Sequence, residues 1–129
     1  MPGRLHHVVV DCPRPEVLAE FYSQLLGLPI TYRSGDWVVV SESETTSGIA
    51  FQLAPDHAAP EWGNPQRPQQ MHFDVMVDDL DAVSSEVMSW GARSLSDEGD
   101  RSRVFADPAG HTFCLIPRPT WAPPIEPTP

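Results

Sequence analysis

Met71-His72-Phe73-Asp74-Val75-Met76-Val77-Asp78-Asp79 is the stretch that decides how this chain folds. Successive side chains of a strand point to opposite faces. Phe73, Val75 and Val77 therefore share one face, and His72, Asp74 and Met76 share the other. The first face suits a helix packed on it. The second carries an imidazole and a carboxylate, which cost free energy inside a small domain unless they line water, a ligand or a metal. Asp78 or Asp79 then offers a helix N-cap. Leu80, Val83, Val87 and Trp90 recur at the spacing of one buried helical stripe, and Gly91 ends it. Three strands are predicted beyond, over 92–95, 103–107 and 112–117. Asp107-Pro108-Ala109-Gly110 turns the chain between the last two.

The same order of elements precedes this stretch. Residues 5–11 read as a strand with His7, Val9 and Asp11 on one face and His6, Val8 and Val10 on the other. Pro15 suits the first turn of a helix that runs to Leu26, with Leu18, Phe21, Tyr22 and Leu25 as its stripe and Gly27 as its stop. Strands follow over 30–33, 37–40 and 48–53. In the last of these Ile49, Phe51 and Leu53 form the apolar face and leave Ala50 and Gln52 opposite.

Strand, helix, glycine and three strands thus occur twice. A module over 5–54 is joined by a loop over 55–70 to a second module over 71–117, and a proline-rich tail occupies 118–129. A unit of ~50 residues buries its own core poorly, so two such βαβββ units are expected to pair. The fold class is α+β, with curved mixed sheets around a cleft. His7, Gln52, His72 and Cys114 fall on the less apolar faces of the first and last strand of each half. They are expected to converge on that cleft, with Asp74 beside His72.

The order and spacing of these residues resemble the vicinal oxygen chelate (VOC) superfamily, which includes glyoxalase I, extradiol dioxygenases and bleomycin resistance proteins. More narrowly, the chain is similar to bacterial glyoxalase-like domains. The resemblance rests on Leu5-His6-His7-Val8-Val9-Val10-Asp11, Phe21-Tyr22 with Leu25-Leu26-Gly27-Leu28, Met71-His72-Phe73-Asp74-Val75, Gly91-Ala92 and Asp107-Pro108-Ala109-Gly110-His111. It covers residues 5–117. It implies paired βαβββ modules and often a homodimer. In metal-using members a divalent ion acts as a Lewis acid on two substrate oxygens or activates dioxygen. The ligand positions of those members map onto His7, Gln52, His72 and Cys114.

No cofactor is fixed by the sequence, and Zn, Mn, Fe or Ni is the candidate divalent metal. Metal enzymes of the family usually place Glu where this chain has Cys114, and often where it has Gln52. A thiolate at 114 would favour Zn²⁺, but an apolar setting keeps a thiol protonated. The absence of carboxylates tilts the reading toward a protein that holds a small molecule without a strong metal site. The alternatives are a metal-dependent lyase, isomerase or dioxygenase using His7, Gln52 and His72, and a structural or protein-interaction module.

Trp37 and Trp62 join the candidate ligand contacts. Trp37 lines the cavity or packs against a dimer partner, and Trp62 pins the proline-rich loop or covers the ligand. Trp121 and Ile125 are the expected anchors of the tail. His6 is assigned to the face away from His7, and His111 to the surface. The net charge of −10 argues against nucleic-acid and anionic-membrane partners, which call for basic patches. No apolar run approaches the ~20 residues of a membrane span. Two cysteines without a secretory leader read as reduced thiols in the cytoplasm.

Overall fold

The structure is a computed structural model that describes residues 1–96 and 101–125. Contacts divide the chain into two compact units, Met1–Ala58 and Ala59–Pro129, each holding one four-stranded mixed sheet with a helix on one face.

In the first unit β1 (His7–Cys12) leads into α1 (Pro15–Leu26), then β2 (Ile30–Arg33), β3 (Trp37–Ser41) and β4 (Gly48–Leu53). The sheet order is β1-β4-β3-β2, with β1 and β4 parallel and the other neighbours antiparallel. Pro15 opens α1, where its missing N–H has no helical partner to lose. Gly27 closes it in the left-handed conformation, φ 66°, which glycine adopts without the Cβ clash of other residues. The predicted stripe is what packs. Leu18, Phe21 and Tyr22 are buried against Val38, Val40 and Phe51 of the sheet. The Tyr22 ring stacks on Phe51 with centroids 5.5 Å apart, and Phe21 meets Tyr22 edge-on at 5.0 Å.

In the second unit β5 (Phe73–Val77), α2 (Leu80–Ser89), β6 (Arg93–Ser96), β7 (Arg103–Ala106) and β8 (Thr112–Pro117) repeat that plan, in the order β5-β8-β7-β6. Asp79 is the residue that caps α2, its carboxylate accepting from Ala82 N at 3.0 Å. Phe105 and Phe113 stack at 5.4 Å, and both are buried with Leu115 and Val87. Arg103 ties β7 to the helix by donating to Asp81 at 2.5 Å and to the Ser84 hydroxyl at 3.1 Å.

The loop after Ala58 is held by its own hydrogen bonds. Glu61 N donates to Arg67 O, Asn64 N to Glu61 O, and the Asn64 amide to the Glu61 carboxylate. Trp62 is 51% exposed, so pinning by its side chain is not what orders this loop.

The tail also differs from expectation. Trp121 is 78% exposed and Ile125 48%, so neither side chain anchors the tail against its own chain. The clamp is polar. Arg118 N donates to Val77 O and the Arg118 guanidinium bonds both Asp78 and Ala122 O. Ile125 N closes on the other Asp78 oxygen at 2.9 Å. Arginine can do this because its planar fork offers several donors at once. Residues 126–129 of the tail lie outside the described residues.

Candidate functional site

Each sheet has a face turned away from its helix, and the chemistry-bearing residues of each unit sit on that face or at its edge. In the first unit strand alternation places His7, Val9 and Asp11 of β1 there. Strand pairing adds Ala50 and Gln52 of β4 and Val39 and Trp37 of β3. A cavity of about 550 Å³ opens over part of this face, bounded among others by His6, His7, Tyr32, Asp36, Trp37 and Glu44. His6 is not on the opposite face. It precedes β1, and its ring lies against that of His7 with centroids 4.0 Å apart. The strand alternation used to assign it does not extend before His7.

His7 is set by Gly48. The two pair across β1 and β4, and Gly48 N donates to His7 Nδ1 at 3.0 Å. A neutral imidazole carries its proton on one nitrogen only, so this bond places it on Nε2. Burial, then the charge of His6, lowers the His7 pKa below its ordinary value, and the ring favours its neutral form. Sequence reasoning missed Gly48. A glycine at the first position of an alternating strand is the signal that could have found it.

The register corrects the matching of the two halves. In the second unit Cys114 pairs with Asp74, two residues after His72. In the first, the residue two after His7 is Val9, and it pairs with Ala50. Ala50, fully buried and without a donor atom, thus holds the place that Cys114 holds in the repeat. Gln52 pairs with Asp11, four residues along from His7. At ~3.3 Å per residue that is about 13 Å, beyond what the two side chains bridge to one ion.

In the second unit His72 lies just before β5, with Nε2 3.3 Å from Asp74 Oδ1. Cys114 faces the same way. Burial, then the negative charge of Asp74 and the hydrogen bond the thiol makes to it, raises the Cys114 pKa. The thiol keeps its proton at neutral pH. Trp62 borders a separate cavity of about 500 Å³ with Pro60, Pro65, Pro68 and Thr112. His111 is not a simple surface residue, since its side chain is 20% exposed and its Nδ1 lies 3.4 Å from the fully buried Asp107 carboxylate.

The four positions carried over by resemblance therefore do not make a metal centre of the usual kind. Nδ1 of His7 is engaged by Gly48 N–H, and freeing Nε2 as a ligand would set two N–H groups face to face. Gln52 is out of reach of His7, and Ala50, the counterpart of Cys114, has no donor atom to offer.

Two βαβββ units, each with a helix on one face of a mixed sheet and polar side chains on the other, define an α+β protein of the glyoxalase/bleomycin resistance/dioxygenase fold. A glyoxalase/bleomycin resistance protein/dioxygenase family enzyme from Burkholderia phytofirmans PsJN matches with a TM-score of 0.69 at 15% identity, over 88% of this chain and 97% of that one. A trypanothione-dependent glyoxalase I from Leishmania major matches with a TM-score of 0.60 at 14% identity, over 89% and 86%. An antibiotic binding protein from Streptomyces sp. CB03234 matches with a TM-score of 0.53 at 18% identity, over 89% and 95%. None of the proteins of curated function matches the chain by sequence. The profile of the glyoxalase-like domain matches residues 7–116, and the chain belongs to that family, within the VOC superfamily. Among the described residues no helix is long and apolar enough to cross a membrane.

Proposed function

We propose that this glyoxalase-like protein binds a small molecule with a flat, positively charged body on the helix-free face of its first sheet, without a metal bound by His7. The observation that carries this is the composition of the 550 Å³ cavity, where the rings of His6, His7, Tyr32 and Trp37 meet the carboxylates of Asp36 and Glu44. The lining residues include no Arg or Lys. The faces of Tyr32 and Trp37 attract cations, by about 0.5–2 kcal/mol each, and the carboxylates of Asp36 and Glu44 add Coulomb attraction. An anionic ligand would meet both as repulsion. The volume lies within the range of ordinary ligand pockets, ~300–1,000 Å³. That one structural neighbour is an antibiotic binding protein is consistent with a binding role.

The reading includes a homodimer in the cytoplasm. The first part rests on the family. The second is supported by Cys12 and Cys114, neither of which is in a disulfide, as a reducing compartment requires.

Isothermal calorimetry with three probes of one shape tests the proposal: a planar aromatic amine, its neutral isostere and its carboxylate isostere. The amine is expected to bind, the carboxylate not. Trp37→Ala should weaken amine binding by ~2–30-fold, the range of one cation–π contact. Equal affinity for all three probes, or an unaltered affinity in Trp37→Ala, overturns the reading.

A further inference from the structure

The open space over the first sheet does not end at its two histidines. A second cavity, of about 460 Å³, meets the first there, and His6, His7 and Glu44 border both. The second is completed by Arg4, Leu5 and the hydroxyl-bearing run Thr45, Thr46 and Ser47. Strand register orders these groups along the sheet. Ser41, Gly48 and His7 stand side by side on β3, β4 and β1, and Trp37 stands four residues along from Ser41. At ~3.3 Å per residue Trp37 is about 13 Å from the level of His7. Arg4 belongs to the opposite end, because the segment before β1 is tied to the start of β4 by Ser47 Oγ, which donates to Leu5 O at 2.5 Å. Charge therefore changes sign along the face, from Asp36 beside Trp37 to Arg4. Among the described residues Arg4 makes no ion pair or hydrogen bond, although Glu44 borders the same cavity.

The geometry points to an elongated zwitterion as the ligand, with its flat cationic body at Trp37 and Asp36 and an anionic oxygen group, carboxylate or phosphate, at Arg4. This ligand presupposes the cation site of the first cavity and extends it to a second end. The guanidinium fork suits either anion, since it gives two parallel N–H donors to a pair of oxygens. The Thr45 hydroxyl, which meets that of Ser43 at 3.3 Å, is a further donor on the same side. Glu44 stands between the two ends and repels a carboxylate attached directly to the flat body. The anionic group is accepted only at the far end of a spacer, where it meets Arg4.

Calorimetry on the full chain tests this with three probes built on one planar aromatic amine. Each carries a flexible spacer of ~13 Å, the distance along the sheet from Trp37 to the level of His7. The spacer ends in a primary amide, a carboxylate or a phosphate monoester. All three are expected to bind, and at least one of the anionic ends should bind ~3–10-fold tighter than the amide, between an exposed ion pair and a charge-assisted hydrogen bond. The long-range field of a chain with net charge −10 favours the amide, which keeps its net positive charge, so the gain reports local contact. A gain for the carboxylate alone or for the phosphate alone identifies the anion. Arg4→Gln should abolish the difference between the probes, and Arg4→Glu should reverse it in favour of the amide. Arg4 is exposed, and far-ultraviolet circular dichroism confirms that both variants are folded. If the amide probe binds and neither anionic end binds tighter, or if the gain survives Arg4→Gln, this inference is overturned and the cation site of the first cavity stands. If none of the three binds, both are overturned.

Discussion

Replacing Gly48 with alanine tests the link between the backbone of the first sheet and the state of its histidine. A Cβ on residue 48 would lie 2.2 Å from Val40 O and 2.6 Å from Ser41 Cβ. Non-bonded carbon contacts are comfortable at ~3.5 Å or more, so β3 and β4 must part locally by about 1 Å. That opening strains the ladder where Ser41 pairs with Gly48 and draws Gly48 N away from His7 Nδ1. Overpacking of this kind costs ~1–3 kcal/mol and a lost hydrogen bond ~1 kcal/mol, so about 2–4 kcal/mol in all. With a urea m-value of ~2 kcal/mol/M, the midpoint should fall by ~1–2 M. Nitrogen NMR of the imidazole supplies the second readout, because Nδ1 exchanges a backbone donor for water. Gly35→Ala is the control: nothing lies within 4 Å of its added Cβ, and its effect should stay within ~0.5 kcal/mol. An unchanged midpoint together with wild-type His7 nitrogen shifts in Gly48→Ala would refute the reasoning.

Phe51→Ala removes a fully buried ring stacked on Tyr22 and should cost ~3–5 kcal/mol in denaturant unfolding. Asp79→Ala deletes the cap on α2. A loss of ~1 kcal/mol is expected, and a loss indistinguishable from zero would show that the cap bond carries no stability. Asp78→Asn weakens the clamp on the tail, so limited proteolysis should cut near Trp121 faster than in the parent. Acid acts in two windows. The His7 pKa is lowered on folding, so the unfolded chain binds its proton first, and stability falls as pH drops below ~6.5 through the folded value. The Asp78 pKa is also lowered, first by its hydrogen bond from Arg118, and its contribution is lost only as pH falls below ~3.9. His7→Gln should flatten the first window and leave the second.

The sequence by itself determined the elements and their order. Apolar spacing of 3.6 in α1 and α2, alternation in the strands, Pro15 at one helix start and Gly27 and Gly91 beyond the helix ends are local signals, and they survive into the fold because each is decided within a few residues. The duplication was legible for the same reason, and with it the faces carrying His7, Asp74 and Cys114.

Tertiary structure alone decided which positions meet. A shift of two residues along a strand keeps every side chain on its face, so alternation cannot distinguish Ala50 from Gln52 as the counterpart of Cys114. Only the pairing of Val9 with Ala50 and of Asp74 with Cys114 does so. The bond from Gly48 to His7 and the Arg118 clamp on Asp78 likewise span about forty residues of chain. No local pattern encodes them, because their partners become neighbours only when the parallel strands close.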